Sequence, residues 1–118
     1  MIMTKVYWTL GGRRYADYDE FVRDVSEYNN RIDPDRNEWN PNLVICKGPA
    51  CIRYEAMWKD EDEFLDVVVE STEKPVAMGW LLFVLHNESV DFFAGDDHCF
   101  FEGLHLVESG TYWLHTGS

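Results

Sequence analysis

Between Pro75 and His86 lies a block, Trp80-Leu81-Leu82-Phe83-Val84-Leu85, that is apolar at every position. A helix wound from such residues has almost no polar face to offer water, so other elements must enclose it on nearly all sides. Pro75 suits a helix's first turn, His86-Asn87-Glu88 marks the point where the helix turns polar, and Gly95 supplies a stop after an end near Phe93. The wider apolar stretch from Val76 to Leu85 has about ten residues, half the roughly 20 that a membrane span needs. It is therefore expected in a protein core.

The rest of the chain alternates between helix and strand patterns. Thr4 to Leu10 places Val6, Trp8 and Leu10 on one face, and Gly11-Gly12 offers the positive φ angles of a tight hairpin returning through Arg13 to Tyr15. Asp17 caps a helix with Glu20 three residues on, and Tyr18, Phe21, Val22, Val25 and Tyr28 follow at helical spacing to about Asn29. A polar, proline-containing loop from Asn30 to Asn42 has Trp39 as its one large apolar anchor. Leu43–Lys47, Ala50–Trp58 and Glu63–Ser71 then read as an antiparallel meander, and His98–Val107 with Thr111–Thr116 as a hairpin around Ser109-Gly110. The expected fold is α+β: an antiparallel sheet of about six strands with two helices packed on one side, in a single domain spanning residues 1–118.

The net charge is −12. Residues 75–118 contribute six carboxylates, all four histidines and no lysine or arginine. Nucleic-acid binding draws its affinity from basic side chains that neutralise phosphates, so DNA and RNA are excluded as expected partners. The same field speeds association with a basic protein. Met1 to Lys5 lacks the apolar core of a signal peptide, and an odd number of cysteines, three, fits a reducing compartment; a cytoplasmic protein without membrane contact is expected.

Two groups of residues carry the functional possibilities. The acidic run Asp60-Glu61-Asp62-Glu63 and the acidic first helix, with Trp39 and Trp58 as aromatic anchors, have the composition of an interface for a Lys/Arg-rich partner. On the closing hairpin, a two-residue Ser109-Gly110 turn pairs Leu104 with His115, which would let His98, Glu102 and His115 converge as two imidazoles and a carboxylate, adequate for zinc or iron. The spacing matches no zinc motif, and the bland alternative is polar residues along a sheet. The same turn logic sets Cys46 opposite Cys51 across Gly48-Pro49, although proline is disfavoured at the second central turn position. His86 reads as a satisfied boundary histidine. Phosphate loops, serine nucleophile elbows and dinucleotide fingerprints are absent from the sequence.

The run Leu81 to Asn87, then Asp97 to Leu104 and a terminal Gly117-Ser118, looks like an ending shared among small bacterial α+β proteins. In size, acidity and layout the chain also resembles the immunity proteins of bacterial polymorphic-toxin systems, small inhibitors that bind a cognate toxin. The resemblance implies a non-enzymatic, cofactor-free module for a basic protein partner such as a toxin domain. A metal-binding protein or metal-dependent hydrolase built on His98, Glu102 and His115 is the alternative, and a homodimer covering the exposed aromatics is a third arrangement.

Overall fold

The computed structural model describes residues 1–56, 63–70 and 74–117. Its elements, in chain order, are α1 (Tyr18–Ile32), β1 (Val44–Cys46), β2 (Ala50–Ala56), β3 (Glu63–Val69), β4 (Val76–Ala77), α2 (Met78–Ser89), β5 (Phe100–Glu108) and β6 (Thr111–Gly117). The α+β class stands, but the single antiparallel sheet does not. β3, β2, β6 and β5 form a four-stranded sheet in that order, while β1 and β4 form a separate two-stranded sheet.

The larger sheet is also mixed. β2 runs antiparallel to β3, Ala50 opposite Val69 through Ala56 opposite Glu63, but parallel to β6, with Cys51 opposite Thr111 and Arg53 opposite Trp113. Alternation of apolar and polar residues states which face of a strand is buried. It is silent on which strand lies alongside, and a strand that returns after a helix can join either way round. β1 illustrates the point: its strand pattern is real, yet it pairs with β4 (Val44 opposite Ala77) and not with β2.

α2 is enclosed over only part of its surface: Trp80 stays 44% exposed and Phe83 and Val84 are half-buried. Met78, Gly79, Leu81, Leu82, Leu85, His86 and Ser89 are buried; the helix starts later than expected because Val76–Ala77 is drawn into the small sheet, and it ends at Ser89, before Phe93. One cluster joins Leu81, Leu82 and Leu85 to Ile52, Tyr54, Ala56, Val67 and Val69 of the sheet, and to Leu104, Tyr112 and Leu114 of the closing hairpin. α1 is capped by Asp17, whose side chain accepts from the Asp19 amide, and buries Phe21, Val25 and Asn29. Phe21 sits in an aromatic nest with ring centroids 5.3 Å from Tyr15, 5.6 Å from Phe83, 5.7 Å from His86 and 6.3 Å from Trp8. At Gly79 the first turn of α2 lies so close to the loop that an added Cβ would stand 2.8 Å from the Pro41 Cβ and 3.1 Å from the Pro41 carbonyl oxygen.

The N-terminal hairpin expected around Gly11-Gly12 is not formed. Residues 1–10 instead lie along the free side of β5: Ile2 and Leu104 exchange backbone hydrogen bonds of 2.8 and 3.0 Å, the Phe101 amide donates to the Trp8 carbonyl, and the Leu10 amide donates to the Cys99 carbonyl. Val6, Trp8 and Leu10 are buried, so the alternation was read correctly and its partner was not. Gly103, at φ +133°, permits the approach, since a Cβ there would meet the Ile2 carbonyl oxygen at 2.9 Å.

Side chains complete what the strand pairing leaves open. Asn29 accepts from the Tyr7 amide (2.8 Å) and donates to the Tyr7 carbonyl (2.9 Å), imitating a neighbouring strand. Asn87 does the same for Tyr15, with both bonds at 2.9 Å, and Glu38 accepts from the Lys5 amide. Replacing fully buried Asn29 by leucine strips the Tyr7 amide and carbonyl of partners, and is expected to cost about 2–4 kcal/mol. Urea unfolding of N29L against wild type measures it; an unchanged midpoint would show that the clamp does not hold the segment.

Candidate functional site

Strand register sorts the side chains of the four-stranded sheet into a face turned toward α2 and an outer face. Across the outer face run Val68, Cys51, Thr111 and Glu108; then Asp66, Arg53, Trp113 and His105; then Phe64 and Glu55, with His115 two residues beyond Trp113 and opposite Gly103. No described helix packs on this face. Phe64 and Val68 are 65% and 55% exposed, and Trp113 is half-buried. Arg53 is the one lysine or arginine contributed by the four strands, and its guanidinium is engaged with Asp66 at 3.5 Å. The field over the face is therefore negative, set by Glu55, Asp66 and Glu108.

A hollow of about 530 Å³ opens on this face, lined by Met1, Glu55, His105, Trp113 and His115 among others. The two imidazoles stand edge to face, ring centroids 6.3 Å apart. An indole, a carboxylate and exposed apolar groups side by side form a surface that suits a cationic or amphipathic protein segment.

The metal set His98, Glu102 and His115 is not brought together. A bulge at Val107 shifts the register, so that Leu104 pairs with Leu114 and His115 faces Gly103, and Glu102 itself sits in a second bulge. Glu102 folds against Gly117, where an added Cβ would be 2.7 Å from its carboxylate. His98 precedes β5, with Asp97 3.6 Å away. Among the described residues no group of three or more His, Cys, Asp and Glu side chains is placed to hold a metal ion. The turn that would set Cys46 opposite Cys51 is not formed, because β1 pairs with β4, and the thiols are free as a reducing compartment would leave them. Cys46 belongs to the small sheet, its thiol 3.1 Å from the Gly48 carbonyl, and burial pushes its pKa up; Cys46, Cys51 and Cys99 are all free.

Of the interface residues read from the sequence, Trp58, Asp60, Glu61 and Asp62 lie outside the described residues. Glu63 opens β3, is exposed and pairs with Ala56. Trp39 turns inward: its indole N–H donates to the Ser26 hydroxyl at 2.7 Å, and its ring lies edge-on to Phe21. It fastens the long loop to α1. Phe64, Val68 and Trp113 were passed over as strand positions, and the signal that could have found them is an apolar residue falling on the polar face of each strand's alternation.

A second hollow, of about 440 Å³, lies between α1 and the N-terminal segment, with Arg13, Asp24, Glu27, Arg31 and His86 among its lining. His86 cannot serve as a base there. Trp8 donates its indole N–H to His86 Nδ1 (3.1 Å), which assigns the proton to Nε2, and Nε2–H then donates to the Arg13 carbonyl (2.8 Å). Both nitrogens are committed.

No helix among the described residues is long and apolar enough to cross a membrane. Comparison with protein-family models, curated proteins and solved structures finds no match.

The buried His86 carries a consequence for pH. Burial lowers its pKa in the folded chain below the value of about 6.5 that it regains on unfolding. Its contribution to stability is then fully present above pH 6.5 and is lost as pH falls below that, because the unfolded chain takes up a proton that the folded chain refuses. A stability decline of at most about 1.4 kcal/mol per pH unit is expected from pH 6.5 downward, before the carboxylates titrate. Thermal melts between pH 8 and 5 measure it, and H86Q, though less stable overall, should lose that part of the slope; an identical slope in H86Q would contradict the assignment.

Proposed function

We propose that this chain is a non-enzymatic, acidic protein-binding module that holds a basic protein partner on the outer face of its four-stranded sheet, as an immunity protein holds a toxin domain. The carrying observation is that face itself: Phe64 and Val68 stand exposed around Asp66, Trp113 is half-buried beside them, and the only strand-borne guanidinium is already engaged. Exposed apolar groups rimmed by charge of one sign are the anatomy of a specific protein interface. The net charge of −12 supplies steering toward a positively charged partner and repels nucleic acid.

The catalytic alternatives find less support. The buried imidazole has both nitrogens bonded, and among the described residues no third ligand joins the hairpin histidines around an ion.

Co-expression with a basic, toxin-like product of an adjacent gene tests the proposal. A stoichiometric complex and protection of the cells are expected, with affinity falling as salt rises. F64K and V68K should each weaken the complex by about tenfold or more while leaving the circular dichroism spectrum unchanged. The proposal fails if no complex and no protection are seen, or if a complex forms whose affinity neither substitution moves.

A further inference from the structure

The two edges of the four-stranded sheet are treated differently. The β5 edge is closed by residues 1–10, through the Ile2, Trp8 and Leu10 hydrogen bonds to Leu104, Phe101 and Cys99. The other edge is β3, and no described strand pairs with it on the side away from β2. We infer that this edge receives an extended segment of the basic partner as an added strand, so that backbone pairing along β3 supplies affinity and the acidic side chains choose the partner. The inference rests on the protein-binding reading above and specifies how the partner is held.

Open edges are usually blunted by shortness, proline, lysine, a bulge or a covering element. β3 has few of these. It is seven residues long, contains neither proline nor lysine, keeps an unbroken register with β2, and carries the β-branched run Val67-Val68-Val69. Its charges are all of one sign: Glu63 and Asp66, with Glu70 next in the chain.

That sign identifies the occupant. A second copy of the chain pairing antiparallel about the middle of β3 would set Asp66 against its own counterpart, with Phe64 opposite Val68. Like charges directly opposite across strands are destabilising, and each copy brings a further net −12. An antiparallel segment with lysine or arginine opposite Asp66 meets the opposite sign there, while its neighbours in sequence meet Leu65 and Val67 on the helix side. Phe64 and Val68, exposed on either side of Asp66, continue the outer face onto which the same segment's alternate side chains would lie. Strand addition of this kind draws affinity from the main chain and specificity from alternate side chains.

The test uses the full-length protein and a synthetic octapeptide. The peptide places lysine opposite Glu70, Asp66 and Glu63, valine opposite Val69, Val67 and Leu65, and threonine opposite Val68 and Phe64. Amide hydrogen exchange is followed by NMR with and without peptide. Expected are slowed exchange at the edge-facing amides between residues 64 and 69, loss of binding when alternate peptide nitrogens are methylated, and about tenfold weaker binding to D66K. D66K changes an exposed side chain, and its fold is checked by circular dichroism. The inference is overturned if the peptide fails to slow exchange in β3, if methylation leaves binding intact, if D66K binds as well as wild type, or if sedimentation shows the free chain already dimeric through this edge. A basic protein partner that binds while the β3 amides stay unprotected would overturn strand addition and leave the protein-binding reading standing; absence of any protein partner would remove that reading by its own test.

Discussion

The structure depends on how a backbone without a full strand partner is allowed to cross the core. Residues 1–16 form no regular element, yet Val6, Trp8 and Leu10 within them are buried. Buried amides and carbonyls must find partners or cost their full desolvation. Isolated bridges to β5 satisfy Ile2, Trp8 and Leu10, and side chains satisfy most of the remainder: Glu38 for Lys5, Asn29 for Tyr7, His86 for Arg13, Asn87 for Tyr15. Asn29 comes from α1 and the His86-Asn87 pair from α2, so the segment ties the two helices to each other and to the sheet.

This arrangement settles which surfaces remain for a partner. With the segment along β5, one edge of the sheet is sealed; with α2 on the inner face, that face is filled. The outer face and the β3 edge are what is left. The uneven charge distribution then has a structural origin. Residues 75–118 supply α2, which is enclosed over part of its surface, and β5 and β6, which have neighbours on both sides, so long basic side chains have little room on their inward positions. Where these strands do meet solvent they present imidazoles and carboxylates: His105 and His115 beside Glu55, with Glu108 at the end of β5. The outer face takes its sign from Glu55 and Asp66 as well as Glu108, and among the described strands only Arg53 from β2 opposes it.

What could be read in the sequence was whatever depends on one element at a time. The Asp17 cap, the stripe Phe21-Val25, the burial of Leu81, Leu82 and Leu85 and the buried face Ile52-Tyr54-Ala56 all follow from local spacing against solvent, and all are present. What depends on pairing could not be read. β1 has a strand's composition whether it meets β2 or β4, and nothing in the residues of β2 or β6 alone states that the two run parallel. One extra residue at Val107 was enough to turn His115 away from the expected ligand set, because a single-residue slip exchanges the faces of a strand. The polar residues His86 and Asn87 were legible as the place where α2 turns hydrophilic; their partners, more than 70 residues upstream in the chain, were not.

The acidity of β3 reconciles two demands that pull against each other. A valine-rich edge with no described strand on its far side invites pairing with any exposed strand, most readily with another copy of itself, whose local concentration is highest during synthesis. Lysine would deter that self-pairing as well as aspartate does, since repulsion between like charges does not depend on their sign. The choice of sign matters only to an outside partner. On the strand-addition proposal, carboxylates at Glu63, Asp66 and Glu70, in a chain of net charge −12, would keep identical edges apart while leaving the same edge attractive to a basic strand. A face that needed only to stay monomeric would not also require Phe64 and Val68 in the open, where they add to the risk of aggregation. Their exposure beside Asp66 is consistent with a surface shaped for one class of neighbour.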